Sequence, residues 1–357
     1  MDFKNGRLYN PNVLQNESKE DSTEVYGSSF LEWASTKSPL SLSVYENKVQ
    51  FKEKSFYRYS VQGASTNGET FYGFGRSQNQ TKAAIIAVME TLERFICKSV
   101  LKNESLQANF EVIIRDGTIS FTEAIKSEDL GLPTEGFHSS NGWALHFDAK
   151  AAAESAVRES LERHILLSTY IESEWEGFAF SESVQYENRR LIPAMANNTC
   201  GGFAAGVVLT KGVESPGSTF GYLCDKFAGF NSSPRWANAF HESFEQWEDL
   251  KKGQKSKTPS LIESTQWHYF ENEITEFQPQ AWTPKTQLEV AQTNLLVFDL
   301  QKVLSTPFPL FAAFVFGGDL LPLAFKPKLS SQELINFESK LKRLGIYNSL
   351  PEVHPIL

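Results

Sequence analysis

Six carboxylates recur in three similar frames along the chain, two of them followed by arginine. Glu90, Glu93 and Arg94 close the stretch 83–94, and Glu159, Glu162 and Arg163 close the stretch 152–163. The two stretches are identical at eight of twelve positions. A looser third copy at 239–246 carries Glu242 and Glu245. On a helix, carboxylates three residues apart can converge on one point. Like charges that close repel unless a cation or an arginine stands between them. Oxygen-rich sets of this kind suit Mg2+, which takes one or two carboxylates together with substrate phosphates. The forks of Arg94 and Arg163 fit phosphate oxygens. One Glu-x-x-Glu-Arg is ordinary helix surface, because these residues are good helix formers. Three copies point to divalent metal held against a polyphosphate.

These residues need helices to carry them. In the first frame Ile85, Val88, Met89, Leu92 and Ile96 form one apolar stripe, the pattern of a core-facing helix. At about 100° per residue, Glu93 lies roughly 80° and Glu90 roughly 140° from Ile85. Both carboxylates therefore flank the stripe instead of opposing it. The spacing predicts helices over 81–98, 149–171 with Asp148 as N-cap, and 233–250. Two glycine-bearing turns are expected ahead of the first two helices. Gly73-Phe74-Gly75-Arg76-Ser77 offers backbone N–H groups to a phosphate or nucleoside, as does Ser139-Ser140-Asn141-Gly142. The first lacks the third glycine of a dinucleotide fingerprint and the Lys-Ser/Thr of a Walker loop.

Alternating β-formers predict strands within 39–77, at 110–114 before an Asp116-Gly117 turn, and near 191–194 and 206–209. The runs 295–299 and 310–316 read as central strands, and 331–344 as a final helix. Residues 1–35 are polar and mixed and read as a loosely ordered lead-in. No composition break splits the rest, so the expected fold is one interlaced α+β domain.

The chain has 357 residues, 41% hydrophobic and 22% charged, with 28 Phe and a net charge of −9. The negative balance excludes nucleic-acid binding by phosphate neutralisation. Three unpaired cysteines, Cys97, Cys200 and Cys224, give neither a disulfide framework nor a zinc site and fit a reducing cytoplasm. The first residues contain no apolar signal segment. The most apolar stretch, 307–325, is broken by Gly317-Gly318-Asp319 and Pro322 and is read as buried strand, not membrane span.

Taken together, these motifs resemble the YcaO family. The resemblance rests on Gly73 to Ser77 leading to Glu90, Glu93 and Arg94; on Ser140-Asn141-Gly142 leading to Glu159, Glu162 and Arg163; and on Glu242 with Glu245. It extends to Val297-Phe298-Asp299, to Pro307, Pro309 and Phe316-Gly317-Gly318, and to the proline-bearing tail, covering about residues 55–357. It implies an α+β YcaO-like domain over 51–357 after a partly flexible lead-in at 1–50, with sheet segments between three carboxylate-bearing helices. It implies ATP and Mg2+ as cofactors. Glu90, Glu93, Glu159, Glu162, Glu242 and Glu245 would face the metal. Gly73, Gly75, Arg76, Ser77, Arg94, Asn141, Arg163 and Arg235 would face the nucleotide. The implied reaction activates a peptide backbone amide: a Cys, Ser or Thr side chain, or external sulfide, attacks the carbonyl, and its oxygen takes the γ-phosphoryl group. The product is an azoline or a thioamide. This chain departs from the family at Phe74, where Lys is frequent, at Ile86, at Glu245 in place of Gln, and at Trp247, where Arg is often found. Arg76 or Lys82 could replace the missing lysine.

Only about 50 residues precede the motif region, so a partner protein that delivers the leader peptide is expected, and a homodimer is compatible with the sequence. His354, in the tail, is the candidate for proton transfer. Cys200 sits in a glycine-rich loop and reads as a small buried residue. His138, His146 and His164 read as structural, and 251–257 as a solvated loop. Two rival functions remain: a non-catalytic YcaO-like scaffold, and an unrelated hydrolase whose carboxylates bridge metals.

Overall fold

The computed structural model describes residues 22–51, 54–100, 110–123, 142–181, 183–186, 189–212, 218–251, 282, 284–288, 293–316, 320–321 and 331–347. They divide into two compact units gathered from separated stretches. The first takes residues up to 113, 120–157 and 292–317, and the second takes 114–119, 158–291 and 318 onward.

The first unit opens with helix α1 (Ser22–Thr36), which corrects the lead-in reading for these residues. Phe30, Trp33 and Ala34 form an i, i+3, i+4 stripe that is buried, and this local stripe outweighs the polar average of the segment. A three-stranded antiparallel meander follows: β1 (Leu40–Phe51), β2 (Lys54–Ser65) and β3 (Thr70–Ser77). Helix α2 (Gln80–Val100) comes next. Its start is capped by Asn79, whose side chain accepts from the Lys82 N–H at 3.0 Å. Ile85, Val88, Leu92 and Ile96 are buried as the periodicity predicts, joining Phe30, Trp33, Trp143 and Phe308 in one core. Phe30 meets Phe147 and Phe308 edge-on at 5.3 and 5.7 Å.

Strands β4 (Phe110–Arg115) and β5 (Thr118–Glu123) flank the expected turn, where Asp116 and Gly117 both take positive φ. β6 (Trp143–His146) leads into helix α3 (Ala149–Ser173). Asp148 caps α3, accepting from the Ala151 N–H at 2.8 Å. The helix begins in the first unit and continues in the second.

In the second unit β7 (Phe178–Phe180), β8 (Val184–Tyr186), β9 (Arg189–Cys200), β10 (Phe203–Gly212), β11 (Ser218–Lys226) and β12 (Thr286–Leu288) form one sheet. Its main path runs β11-β10-β9-β12, so β11 is an edge strand. Helix α4 (Arg235–Lys251) follows β11 after a 3-10 turn at Phe230–Ser232. The chain then returns to the first unit with β13 (Thr293–Asp299), the short helix α5 (Gln301–Leu304) and the fully buried β14 (Phe311–Phe316). These complete a sheet ordered β5-β4-β13-β14-β6. Helix α6 (Ser331–Arg343) packs Phe337 and Leu341 on Leu167 and Ile171 of α3. Among the described residues, no helix is long and apolar enough to cross a membrane.

Candidate functional site

The segment 73–77 is not a turn. It is the outer half of β3, the edge strand of the first meander. Its glycines answer a packing need: a Cβ on Gly73 would lie 2.2 Å from the Ala87 carbonyl oxygen, and one on Gly75 1.9 Å from that of Ala83. Without Cβ atoms the strand rests directly on the backbone of α2. The N–H of Phe74, between the two glycines, then donates to the Glu90 carboxylate at 2.6 Å. Arg94 donates to the other Glu90 oxygen, also at 2.6 Å, the i, i+4 pair expected on a helix. Glu93 is half-buried on the same helix. Arg76 stands directly across from Arg58 in the β2–β3 register, and the Arg58 guanidinium lies 5.8 Å from the Phe74 ring centroid. The Ser77 hydroxyl accepts from the Asn79 N–H.

The second unit repeats this docking. A Cβ on Gly221 of β11 would lie 1.9 Å from the Ala239 carbonyl oxygen of α4. The next residue, Tyr222, donates its N–H to the Glu242 carboxylate at 3.3 Å. Gly73-Phe74 with Ala87, Glu90 and Thr91 thus matches Gly221-Tyr222 with Ala239, Glu242 and Ser243 in contact and in spacing along the helix. The loosest sequence copy is the one whose strand docks like the first. In both places a helical glutamate satisfies an outward N–H of an edge strand, which would otherwise be open to a foreign strand.

Around Tyr222 the second unit gathers charge. Glu162 and Arg163 of α3 pair at 3.1 Å and are 14% and 17% exposed. The Arg163 guanidinium lies 4.9 Å from the Tyr222 ring centroid. Burial pushes the Glu162 carboxyl up to about 7; Arg163 and Arg235 oppose the rise and Glu242 adds to it. Burial works against the charge on Arg163, yet Glu162, Glu159 and Glu242 hold its pKa above the ordinary arginine value. Burial likewise raises the Tyr222 hydroxyl. Arg235 falls in the first turn of α4. Its Nε is 3.8 Å from Asp225, the neighbour of Cys224 near the end of β11. Ser233 fixes Asp225 by donating to it at 2.6 Å. The Nε atoms of Arg158 and Arg163 are buried with no hydrogen-bond partner.

Glu90, Glu93, Arg94, Gly73, Gly75, Arg76 and Ser77 therefore belong to the first unit, and Glu159, Glu162, Arg163, Arg235 and Glu242 to the second. Among the described residues, no group of three or more potential ligands could by itself hold a metal ion. Asn141, His138, His354, the loop beyond Lys251, the Gly317-Gly318 pair and the tail lie outside the described residues, as do the side chains of Glu245 and Trp247. The Ser-Asn-Gly turn is described only from Gly142, and β6 separates it from α3. His164 is neutral: burial, aided by Lys340, lowers its pKa to about 3, and its Nδ1 accepts the Leu321 N–H at 3.1 Å. Cys200 is fully buried, with its thiol pushed up to about 12 by burial. Sequence reasoning missed Arg158, Tyr222 and Asp225. The paired Gly-aromatic dipeptides ahead of Ala-x-x-Glu were the available signal.

Among solved structures, the chain matches YcaO from Methanopyrus kandleri bound with AMPPCP and Mg2+. The TM-score is 0.50 and the identity 12%, over 96% of this chain and 98% of that one. The fold is that of YcaO. The YcaO fold bears out the expected α+β class, with sheet segments between the carboxylate helices. Two longer proteins are also matched. A heterocyclase in complex with substrate and cofactor gives a TM-score of 0.49 at 10% identity, over 92% of this chain and 56% of its own. The heterocyclase TruD gives 0.36 at 10% identity, over 74% and 43%. No protein-family model matches the sequence, and no curated protein does.

Proposed function

We propose that this chain is an ATP- and Mg2+-dependent enzyme that activates a backbone amide of a ribosomally made peptide in the cytoplasm. A Cys, Ser or Thr side chain closes onto the amide carbon to give an azoline; thioamidation by external sulfide belongs to the same chemistry. The observation that carries this is the cluster of Glu162, Arg163, Glu242 and Arg235 on a YcaO fold. Burial raises the Glu162 carboxyl to about 7, and a divalent cation bound to it would favour its charged form. The partnerless Nε of Arg163 suits an acceptor oxygen, as a polyphosphate offers.

Bound MgATP would supply an electrophilic γ-phosphoryl group, which carries the amide oxygen away as phosphate. Such transfer needs positioning and charge neutralisation more than covalent help from the protein. Glu162 and Glu242 would hold Mg2+, with the remaining positions taken by phosphate and water oxygens, the usual mode for this ion; Glu159 is assigned to the same function. Arg163 and Arg235 would neutralise phosphate charge. Glu90, Glu93, Arg94, Arg76 and Ser77, with the backbone at Gly73 and Gly75, are assigned to the same function, as are Glu245 and Asn141. His354 is assigned the proton transfer. Delivery of the peptide by a partner protein that holds its leader completes the proposal. AMPPCP, an ATP analogue, and Mg2+ on the Methanopyrus protein support the choice of nucleotide and metal.

Calorimetry with AMPPCP and Mg2+, followed by mass spectrometry of a Cys-containing peptide incubated with ATP, tests this. Binding and an ATP-dependent loss of one water are expected. Glu90→Ala and Glu162→Ala should each remove Mg2+-dependent turnover, and unchanged ATP turnover in both would refute the proposal. Tight binding with no turnover, partner and peptide present, would instead support the scaffold.

A further inference from the structure

Arg158 has no place in the motifs, yet it belongs to the second unit with Glu162, Arg163, Arg235 and Glu242. It precedes Glu162 by four residues on α3, so the two stack on one face of the helix. Its Nε is buried and has no hydrogen-bond partner. Arg158 also acts electrostatically on Arg235, Asp225 and Cys224, so its charge is felt at the start of α4 and the end of β11. Two cations therefore act on one another, although Arg158 and Arg235 are 77 positions apart (235 − 158).

Arg235 is badly placed on a second count. It stands in the first turn of α4, and no acidic residue occupies that turn. The positive end of the helix macrodipole lies there, where a cation is disfavoured and an anion favoured. Among the described residues, Arg235 pairs with Asp225, at 3.8 Å from Nε. One Asp225 oxygen is already bound by Ser233 at 2.6 Å, and the other accepts the Lys226 N–H at 2.8 Å. A shared anion would bridge both guanidiniums, fill the vacant donor of Arg158 and complement the α4 terminus at once.

We infer that Arg158 and Arg235 form a two-arginine clamp for the phosphoryl oxygens of a polyphosphate. This rests on the nucleotide proposed above and adds a positioning residue to it.

The test uses the full chain and three probes in calorimetry: tripolyphosphate without metal, AMPPCP with Mg2+, and adenosine. Charge-assisted hydrogen bonds of this type predict that Arg158→Gln weakens the two phosphate probes by about 10- to 100-fold. Arg158→Lys should fall between, because it keeps the charge and loses the fork. Adenosine should bind all forms alike. A folded Arg158→Gln that binds tripolyphosphate and AMPPCP as the parent does overturns the clamp and leaves the nucleotide site standing. If the parent takes tripolyphosphate through Arg158 but not AMPPCP, the nucleotide reading falls and the clamp survives. A parent that binds neither removes both. Should Arg158→Gln fail to fold, Arg235→Gln decides: a similar weakening is expected, and unchanged tripolyphosphate affinity overturns the clamp.

Discussion

Replacing Gly221 by alanine tests the docking that places Glu242. The new Cβ would sit 1.9 Å from the Ala239 carbonyl oxygen and 2.9 Å from the Ser243 nitrogen. Both are helix backbone, so no side chain can swing aside. Reaching even the 3.0 Å that marks the lower limit of real contacts requires β11 and α4 to part by about 1.1 Å (3.0 − 1.9). Overpacking of this kind costs about 1–3 kcal/mol. The hydrogen bond from the Tyr222 N–H to Glu242 is already 3.3 Å long, and a displacement of that size breaks it. A hydrogen bond to a charged group contributes about 1.5–3 kcal/mol. The sum is about 2.5–6 kcal/mol, a fall of roughly 5–24 °C in Tm for a domain of 150–250 residues. Gly229→Ala is the control. Its φ of 86° brings strain, but the nearest atom to its Cβ is the Ser232 hydroxyl at 3.9 Å, so about 1–2 kcal/mol is expected. Urea unfolding followed by circular dichroism gives the two stabilities, and hydrogen exchange should show the Tyr222 amide opening in the Gly221 variant. If Gly221→Ala costs no more than Gly229→Ala, the strand does not rest on the helix as described.

Two further outcomes are expected. Cys97, Cys200 and Cys224 are all buried, and the Cys200 thiol is raised to about 12, leaving about one part in ten thousand as thiolate at pH 8. Iodoacetamide should leave the native chain unmodified and label three sites after denaturation; rapid native labelling of Cys200 would contradict its burial. For Asp225, burial raises the carboxyl, but the Ser233 hydroxyl and the Lys226 N–H outweigh it, and the folded value falls below 3.8. Its contribution is therefore complete above the unfolded value and is lost as pH falls through the lower folded value. The stability gap between the parent and Asp225→Asn should be flat from pH 7 to 5 and should narrow only below about 3.8. A gap that narrows already near pH 6 would show that the depression is absent.

Much of the secondary structure is written locally. The apolar stripe of α2, the capping Asp148 and the unbroken apolar run of β14 are patterns of period and type, and they gave elements close to those observed. Helix α1 escaped because a polar segment hides a three-residue stripe that matters only once a core exists to receive it. β11 escaped because Gly221, Cys224 and Asp225 interrupt its β-formers, and its partner β10 supplies the ladder that overrides them. The glycines at 73 and 75 suggested a turn, since glycine alone does not say whether it serves a positive φ or the absence of a Cβ.

By itself, the sequence determined which helices carry the carboxylates and which side of each helix they occupy, because helical period depends on neighbours a few residues apart. Tertiary structure alone decided which charges meet and what water they lose. Glu162 rises to about 7 only because folding buries it near Glu242, 80 positions away (242 − 162). Arg158 acts on Arg235 only in the folded chain, through α3 and α4. Desolvation and Coulomb energy depend on distance through space, and no local pattern in the chain encodes that distance.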